Sequence, residues 1–415
     1  MSTHTVNLLF IVFLLISTGL RLYLSVRQTL YVGKHRQIVP KDFVQSISLV
    51  EHQKAADYTL AKQKLGRYEV LYEAFLLLIF TLGGGLDALA VLSAQLSNHA
   101  LFQGVILMFL FIIVNAILSL PFDLYRTFKL EERFGFNHTT LKTFIGDLLK
   151  AGVLMVVLGI PLLSAVLYLM GAMGKVWWLY VWVLWLGFSL FMLWAFPAFI
   201  APLFNKFEPV EDEALKTTIE RLLARTGFTS NGIFVMDGSK RSGHGNAYFT
   251  GLGNNKRIVF FDTLLKDLST SEVEAVLAHE LGHFKHKHIV KGMIFSFVLS
   301  LIVLFLLGQV MLYPAFFEGL GVHYASDAMA LLLFLTVLPV FTFPFSPLGS
   351  IFSRKNEYEA DRFAKDNASG EALISALTKL YQSNAATLTP DPLFSRFYDS
   401  HPNAKDRIYA LKEQH

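Results

Sequence analysis

The chemistry in this chain concentrates in one pentapeptide, His279-Glu280-Leu281-Gly282-His283. Two histidines four residues apart on a helix lie about 40° apart around its axis, so both imidazoles can reach one cation. Glu280 stands beside them, where it can take a proton from an attacking water. A site with two His and one carboxylate suits Zn2+, leaves a position open for water and lowers that water's pKa to about 7. This is the arrangement a zinc metallopeptidase needs, with His279 and His283 as ligands and Glu280 as general base. Ser269-Thr270-Ser271-Glu272 upstream reads as a capping box that starts the helix. Val273, Val276, Leu277 and Leu281 give that helix an apolar face.

A third protein ligand is required. The pattern H-E-x-x-H-x-x-G-x-x-H does not supply it, because His286 stands at its Gly position and Ile289 at its last His position. His286 and His288 read as polar helix surface or supporting contacts. The better candidate lies in Ser353-Arg354-Lys355-Asn356-Glu357-Tyr358-Glu359-Ala360-Asp361-Arg362. Glu357 and Asp361 are four apart and share a helical face. Glu357 completes the ligand set, and Asp361, one turn later, is placed to accept a hydrogen bond from a ligand His and orient its ring. Glu359 falls on a different face and is given no role.

The elements that position these residues are mostly membrane helices. The 415 residues are 53% hydrophobic and 16% charged, where a soluble chain carries about 25% charge. That excludes disorder and an ordinary cytosolic enzyme. The absence of Cys excludes a disulfide framework, thiolate ligands and a Cys nucleophile. A net charge of +4 without any Lys/Arg-rich run excludes nucleic acid as a partner. A bilayer core needs about 20 apolar residues per helix, and seven stretches qualify: 6–22, 72–92, 102–120, 152–172, 176–199, 292–312 and 328–348. The second carries Glu73 and Asp87 near its ends and is interrupted by Gly83-Gly84-Gly85. The seventh holds Pro339, Pro344 and Pro347, which predicts a kink. The first reads as a span rather than a cleaved leader, since no basic region precedes it.

Lys and Arg crowd the segment 21–67 and the loop 121–151, whereas 93–101 and 313–327 carry none. The positive-inside rule then places the N-terminus outside and the C-terminus in the cytoplasm. Two hydrophilic blocks remain on the cytoplasmic side. The organisation expected is 1–199 as spans one to five, 200–291 as the first part of a catalytic domain, 292–348 as spans six and seven, and 349–415 as its second part.

HELGH, two spans, then SRKNEYEAD resembles the type I CAAX prenyl endopeptidase family of membrane zinc proteases. Four further segments carry the likeness: EERFGFN (131–137), IAPLFNKF (200–207), RSGHGNAY (241–248) and HPNAKDRI (401–408). The resemblance runs from the first span to about residue 411. It implies an α-helical polytopic fold of seven membrane helices enclosing a chamber. A mostly helical zincin-type domain with a small edge-strand sheet caps that chamber. It implies one Zn2+ on His279, His283 and Glu357, with Glu280 as base, and removal of the three residues after a prenylated Cys. Asn246 matches a position where an edge strand presents backbone to an extended substrate; its plain alternative is a turn. His401 matches a residue near the substrate carbonyl, suited to stabilising an oxyanion. Arg407 matches one that orients it or pairs with a carboxylate; the alternative for both is stitching of the tail. The chain is short for the eukaryotic family and ends in Lys-Glu-Gln-His, which reads as a bacterial member in the inner membrane.

The expected partners are a peptide or protein substrate, prenylated in the family, and the bilayer. Two other readings stand beside this one. One is a quality-control membrane protease of the heat-shock type. The other is a zinc-binding channel, transporter or inactive scaffold, with Asp87, Asn115 and the glycine triplet lining a pathway. An intact Glu280 counts against the scaffold, because zinc binding does not require it.

Overall fold

Helices dominate the computed structural model, which describes residues 2–250 and 257–413. Helix α1 (Thr3–His35) is followed by α2 (Leu49–Phe80) and α3 (Gly85–Leu96), which together form one span bent by 56°. Next come α4 (Ala100–Phe134), α5 (Leu141–Ala172) and α6 (Gly174–Phe204). The sixth and seventh spans are α9 (His288–Val310) and α10 (Asp327–Thr342). Counting the bent pair as one, seven helices among the described residues are long and apolar enough to cross a membrane. At 33 residues α1 is about 50 Å long, more than a hydrocarbon core of about 30 Å, so its basic C-terminal turns project beyond the bilayer. Outward faces remain apolar: Ile294, Phe295 and Val298 of α9 are exposed, as a surface against lipid requires.

The glycine triplet breaks the second span at a defined place. Gly84 adopts φ +77° and starts α3. Gly321, also at φ +77°, packs so closely on the break that a Cβ there would lie 2.6 Å from Leu82 Cα. Asp87, in the first turn of α3, accepts from the backbone N–H of His323 (3.0 and 3.1 Å) and of Tyr324 (3.3 Å). It therefore fastens a loop to a helix start instead of lining a pathway. Asn115 does face a cavity of about 640 Å³ between the spans, whose wall also carries an Arg21–Glu73 ion pair at 2.9 Å.

The prolines of the seventh span bend the helical path without ending it. Pro344 and Pro347 fall in the first turns of the next helical segments, where a missing N–H costs nothing. After a short 3-10 turn, Phe343–Phe345, α11 (Ser346–Asn367) continues, and residue 348 lies inside this continuous rod. The helix that carries Glu357 is thus an extension of the seventh span.

The second half holds a small four-stranded sheet. Strand β1 (Phe207–Pro209) runs antiparallel to β2 (Ile233–Met236), β2 parallel to β4 (Arg257–Phe261), and β4 antiparallel to β3 (Ala247–Thr250). The order β1-β2-β4-β3 leaves β3 at an edge. Phe249, Ile258 and Phe260 form a core with Ile219 and Leu222 of α7 (Glu213–Thr226) and Leu277 and Leu281 of α8 (Thr270–Lys285). Three further helices close the unit: α12 (Gly370–Ser383), α13 (Pro392–Tyr398) and α14 (Ala404–Glu413).

Candidate active site

Helix α8 starts where the capping box places it. Ser269 Oγ accepts from the backbone N–H of Glu272, and Glu272 Oε2 accepts from that of Ser269 at 2.7 Å. Glu272 is buried and also accepts from Ser375 Oγ (2.6 Å) and Lys379 Nζ (2.7 Å) of α12. Burial alone would raise its pKa, but Lys379, Ser375 and the cap hold it down at about 2. One side chain thus caps the helix and ties it to its neighbour.

Helix α8 lies directly against α11. A Cβ on Gly282 would sit 2.8 Å from Ala360 Cα, so only a glycine permits this approach. The approach brings together His279, His283 and Glu357, whose ligand atoms all lie within 4.8 Å of one another. His279 Nε2 and His283 Nε2 are 3.2 Å apart, and each lies 3.4 Å from a Glu357 carboxylate oxygen.

The outer nitrogens of the two rings are already committed. His279 Nδ1 is 2.8 Å from Asp361 Oδ1. Asp361 in turn accepts from Arg407 Nε (2.9 Å) and Nη2 (2.5 Å). His283 Nδ1 is 3.0 Å from His288 Nδ1, and His288 Nε2 is 3.0 Å from Glu359 Oε2. A carboxylate can only accept, so His288 donates through Nε2 and receives the Nδ1–H of His283. Both ligand rings are then left with bare Nε2 lone pairs converging on Glu357. Glu357 Oε2 is buried and has no well-aligned hydrogen bond among the described residues, although His401 Nδ1 lies 2.7 Å away. Two imidazole nitrogens and a carboxylate converging on one point fit a divalent cation.

The carboxylates gathered here draw positive charge to this point, and a bound cation would take the place of the proton that His279 otherwise holds. Burial works to lower the pKa of His279, but Asp361 and Glu357 outweigh it and raise it to about 9. Burial and the neighbouring His279 push His283 down to about 4. Burial pushes the Glu280 carboxyl up from its ordinary range, against the pull of His279. A carboxyl raised in this way holds a proton more readily than a free one, as a base that takes a proton and then returns it requires.

The remaining expected residues fall at the rim or behind the site. His401 is largely exposed on the open side of the cluster. Of the two roles expected for Arg407, it takes the pairing with a carboxylate: it is bonded to Asp361 and buried behind the cluster, not placed to bind substrate. Asn246 is exposed immediately before β3; its carbonyl accepts from Phe261 N (2.9 Å), and its Oδ1 from Ala247 N (2.8 Å). The segment leading to it is clamped from two sides. Gly243 N donates to Phe136 O (3.0 Å) in the 131–137 loop, and Asn384 bonds both the N–H and the carbonyl of Gly245 (3.0 and 3.3 Å).

Two participants, Glu359 and Asn384, escape sequence reasoning, and a third, His288, is read there only as helix surface or a supporting contact without a partner. Helical counting puts His288 off the face of His283. Lys287, however, takes φ +57° and ends the helix, turning His288 back onto His283. Glu359 then meets His288 beyond the helix end. A non-glycine residue in the left-handed region leaves no sequence signal.

Residues 28–206 match the family model described as CAAX prenyl protease N-terminal, five membrane helices, and residues 209–415 match that of peptidase family M48. The chain is similar to the CAAX prenyl protease 1 homolog of Oryza sativa subsp. japonica, with 34% identity over 94% of this chain and 93% of that protein. To the CAAX prenyl protease 1 homolog of Homo sapiens it is 33% identical, over 90% and 88% of the two chains. The crystal structure of S. mikatae Ste24p matches with a TM-score of 0.92 at 32% identity, over 99% of this chain and all of that one. These relatives are eukaryotic, and none of them supplies the bacterial source read from chain length.

Proposed function

Because the chain belongs to peptidase family M48, among the CAAX prenyl proteases, and is a multi-pass membrane peptidase, we propose that it is a zinc endopeptidase cleaving prenylated C-terminal peptides. The observation that carries the site is the convergence of two bare imidazole nitrogens and the Glu357 carboxylate, with both outer nitrogens locked. His279, His283 and Glu357 hold the metal. Bound there, zinc would polarise the scissile carbonyl and lower the pKa of water.

The chain's own residues do the rest. Glu280 takes the proton of the attacking water and returns it to the leaving amine. His401, at the open rim, stabilises the negative charge developing on the carbonyl oxygen. Asp361, backed by Arg407, fixes the tautomer of His279, and His288, backed by Glu359, fixes that of His283. The free edge of β3 pairs with the main chain of an extended substrate, and Asn246 sets where that pairing begins. The loop charges put the N-terminus outside and the catalytic unit on the cytoplasmic side.

The test uses wild-type protein and the Glu280→Ala variant in detergent, each given a farnesylated CAAX peptide and its unlipidated counterpart, with and without a chelator. The expected result is chelator-sensitive cleavage of the farnesylated peptide only, absent in Glu280→Ala with metal content unchanged. Equal cleavage of both peptides would overturn the prenyl specificity. Cleavage by Glu280→Ala at the wild-type rate would overturn the assignment of the base.

A further inference from the structure

A second groove lies between α2 and α4, with a volume of about 870 Å³, and shares no lining residue with the chamber cavity or the metal site. Its composition changes along α4 in steps of one turn. Pro121 and Phe122 come first, then Tyr125, then Lys129, then Arg133. Helix α2 repeats the series in the opposite chain direction, with Tyr68 and then Lys64 one turn outward. Tyr68 and Tyr125 are more than half exposed, at 58% and 53%. Paired exposed tyrosines at the end of apolar helices mark the level of the lipid headgroups. Lys64 and Lys129 therefore stand one turn, about 5.4 Å, outside that level, and Arg133 stands a further turn out.

Among the described residues, none of Lys64, Lys129 and Arg133 is hydrogen-bonded to a carboxylate; Arg133 lies over the Phe134 ring, at 5.5 Å, and within electrostatic reach of Asp57. The one carboxylate lining the groove, Asp57, is held by Arg36 through two bonds of 2.7 Å. Arg36 thus neutralises that acid and leaves the three cations in excess. We propose that this groove is a binding site for one anionic phospholipid. Its phosphate sits among Lys64, Lys129 and Arg133, its glycerol region lies beside Tyr68 and Tyr125, and an acyl chain lies on Pro121 and Phe122. The apolar floor at membrane depth is what selects a lipid over a soluble phosphate, which would leave that floor empty. Basic pockets between membrane helices have this character.

The experiment is native mass spectrometry of the full-length protein in detergent, titrated with phosphatidylglycerol or with phosphatidylcholine of the same chains. Wild type is expected to retain one phosphatidylglycerol at a concentration lower by about tenfold or more. In the triple variant Lys64→Gln, Lys129→Gln, Arg133→Gln that preference disappears. Pro121→Trp, which fills the floor and keeps every charge, is expected to lose it too, and covers the case in which the triple variant does not fold. A charge-matched control, Lys216→Gln, Lys266→Gln, Lys412→Gln, keeps the preference. Equal retention of the two lipids, a preference that survives in a folded triple variant or in Pro121→Trp, or an equal loss in the control overturns the proposal. Thermal protection by inorganic phosphate matching that by phosphatidylglycerol would overturn the lipid as occupant.

Discussion

Each ligand imidazole has two nitrogens, and only one can face the metal. The other decides the tautomer, so the residues behind the ligands set affinity as surely as the ligands do. For His279 this partner is Asp361, which Arg407 holds in turn. For His283 it is His288, held by Glu359. Replacing His288 by Ala is expected to weaken metal binding by about 10–100-fold, measured by competition with a zinc-chelating dye. Glu359→Gln should weaken it less, since the amide oxygen can still accept from His288. Unchanged affinity in both variants would reduce His288 to a packing residue.

At the scale of the element, the close approach of α8 to α11 sets the distance between HELGH and Glu357. The cost of a side chain at Gly282 falls on backbone atoms of Ala360, which cannot swing aside. Gly282→Ala is therefore expected to separate the helices, lower the melting temperature and cut metal affinity by about tenfold or more, although no ligand is changed. Glu272 gives the other element-scale prediction. An unfolded Glu titrates near 4.3, whereas the folded Glu272 titrates at about 2. Its contribution to stability is complete above the unfolded value and is lost as pH falls from about 4 towards 2. Glu272→Gln should be less stable at neutral pH, by about 1 kcal/mol or more for a cap and its partners, and should lack that acid-sensitive component. Melting curves from pH 7 to 3 distinguish the two proteins.

Across the whole molecule, the membrane helices and the catalytic unit are tied by a few polar contacts far apart in sequence. Arg27 of α1 meets Asp391 at 2.9 Å, and Gln28 Oε1 accepts from the Asp391 backbone N–H at 2.6 Å. Burial would raise the pKa of Asp391, but Arg27 and the N-terminal N–H groups of α13 lower it. Asp391 caps α13, and His401 follows three residues after that helix ends. Arg27→Gln should therefore lower kcat with the metal content intact, because the rim residue loses its support while the ligands do not. An unchanged kcat would show that the tie between α1 and α13 is structural only. Arg241 makes a second tie, to Asp147 of α5 at 2.7 and 2.9 Å.

By itself the sequence determined what depends on local period and residue type. Seven apolar stretches had to become membrane helices, because a backbone in lipid must satisfy its own hydrogen bonds. HELGH had to place two imidazoles on one face, and the Ser269–Glu272 box had to start that helix. The pairing of Glu357 with Asp361 was legible for the same reason, four residues being one turn. Tertiary structure decided what depends on chain reversals and distant partners. Helical counting could not place His288, which a left-handed Lys287 folds back onto the site. Nor could it show that Asp87 caps a loop, that Arg407 lies behind the metal site, or that α11 continues the seventh span past its prolines. Those outcomes rest on packing between segments up to about 240 residues apart, and no local pattern encodes them.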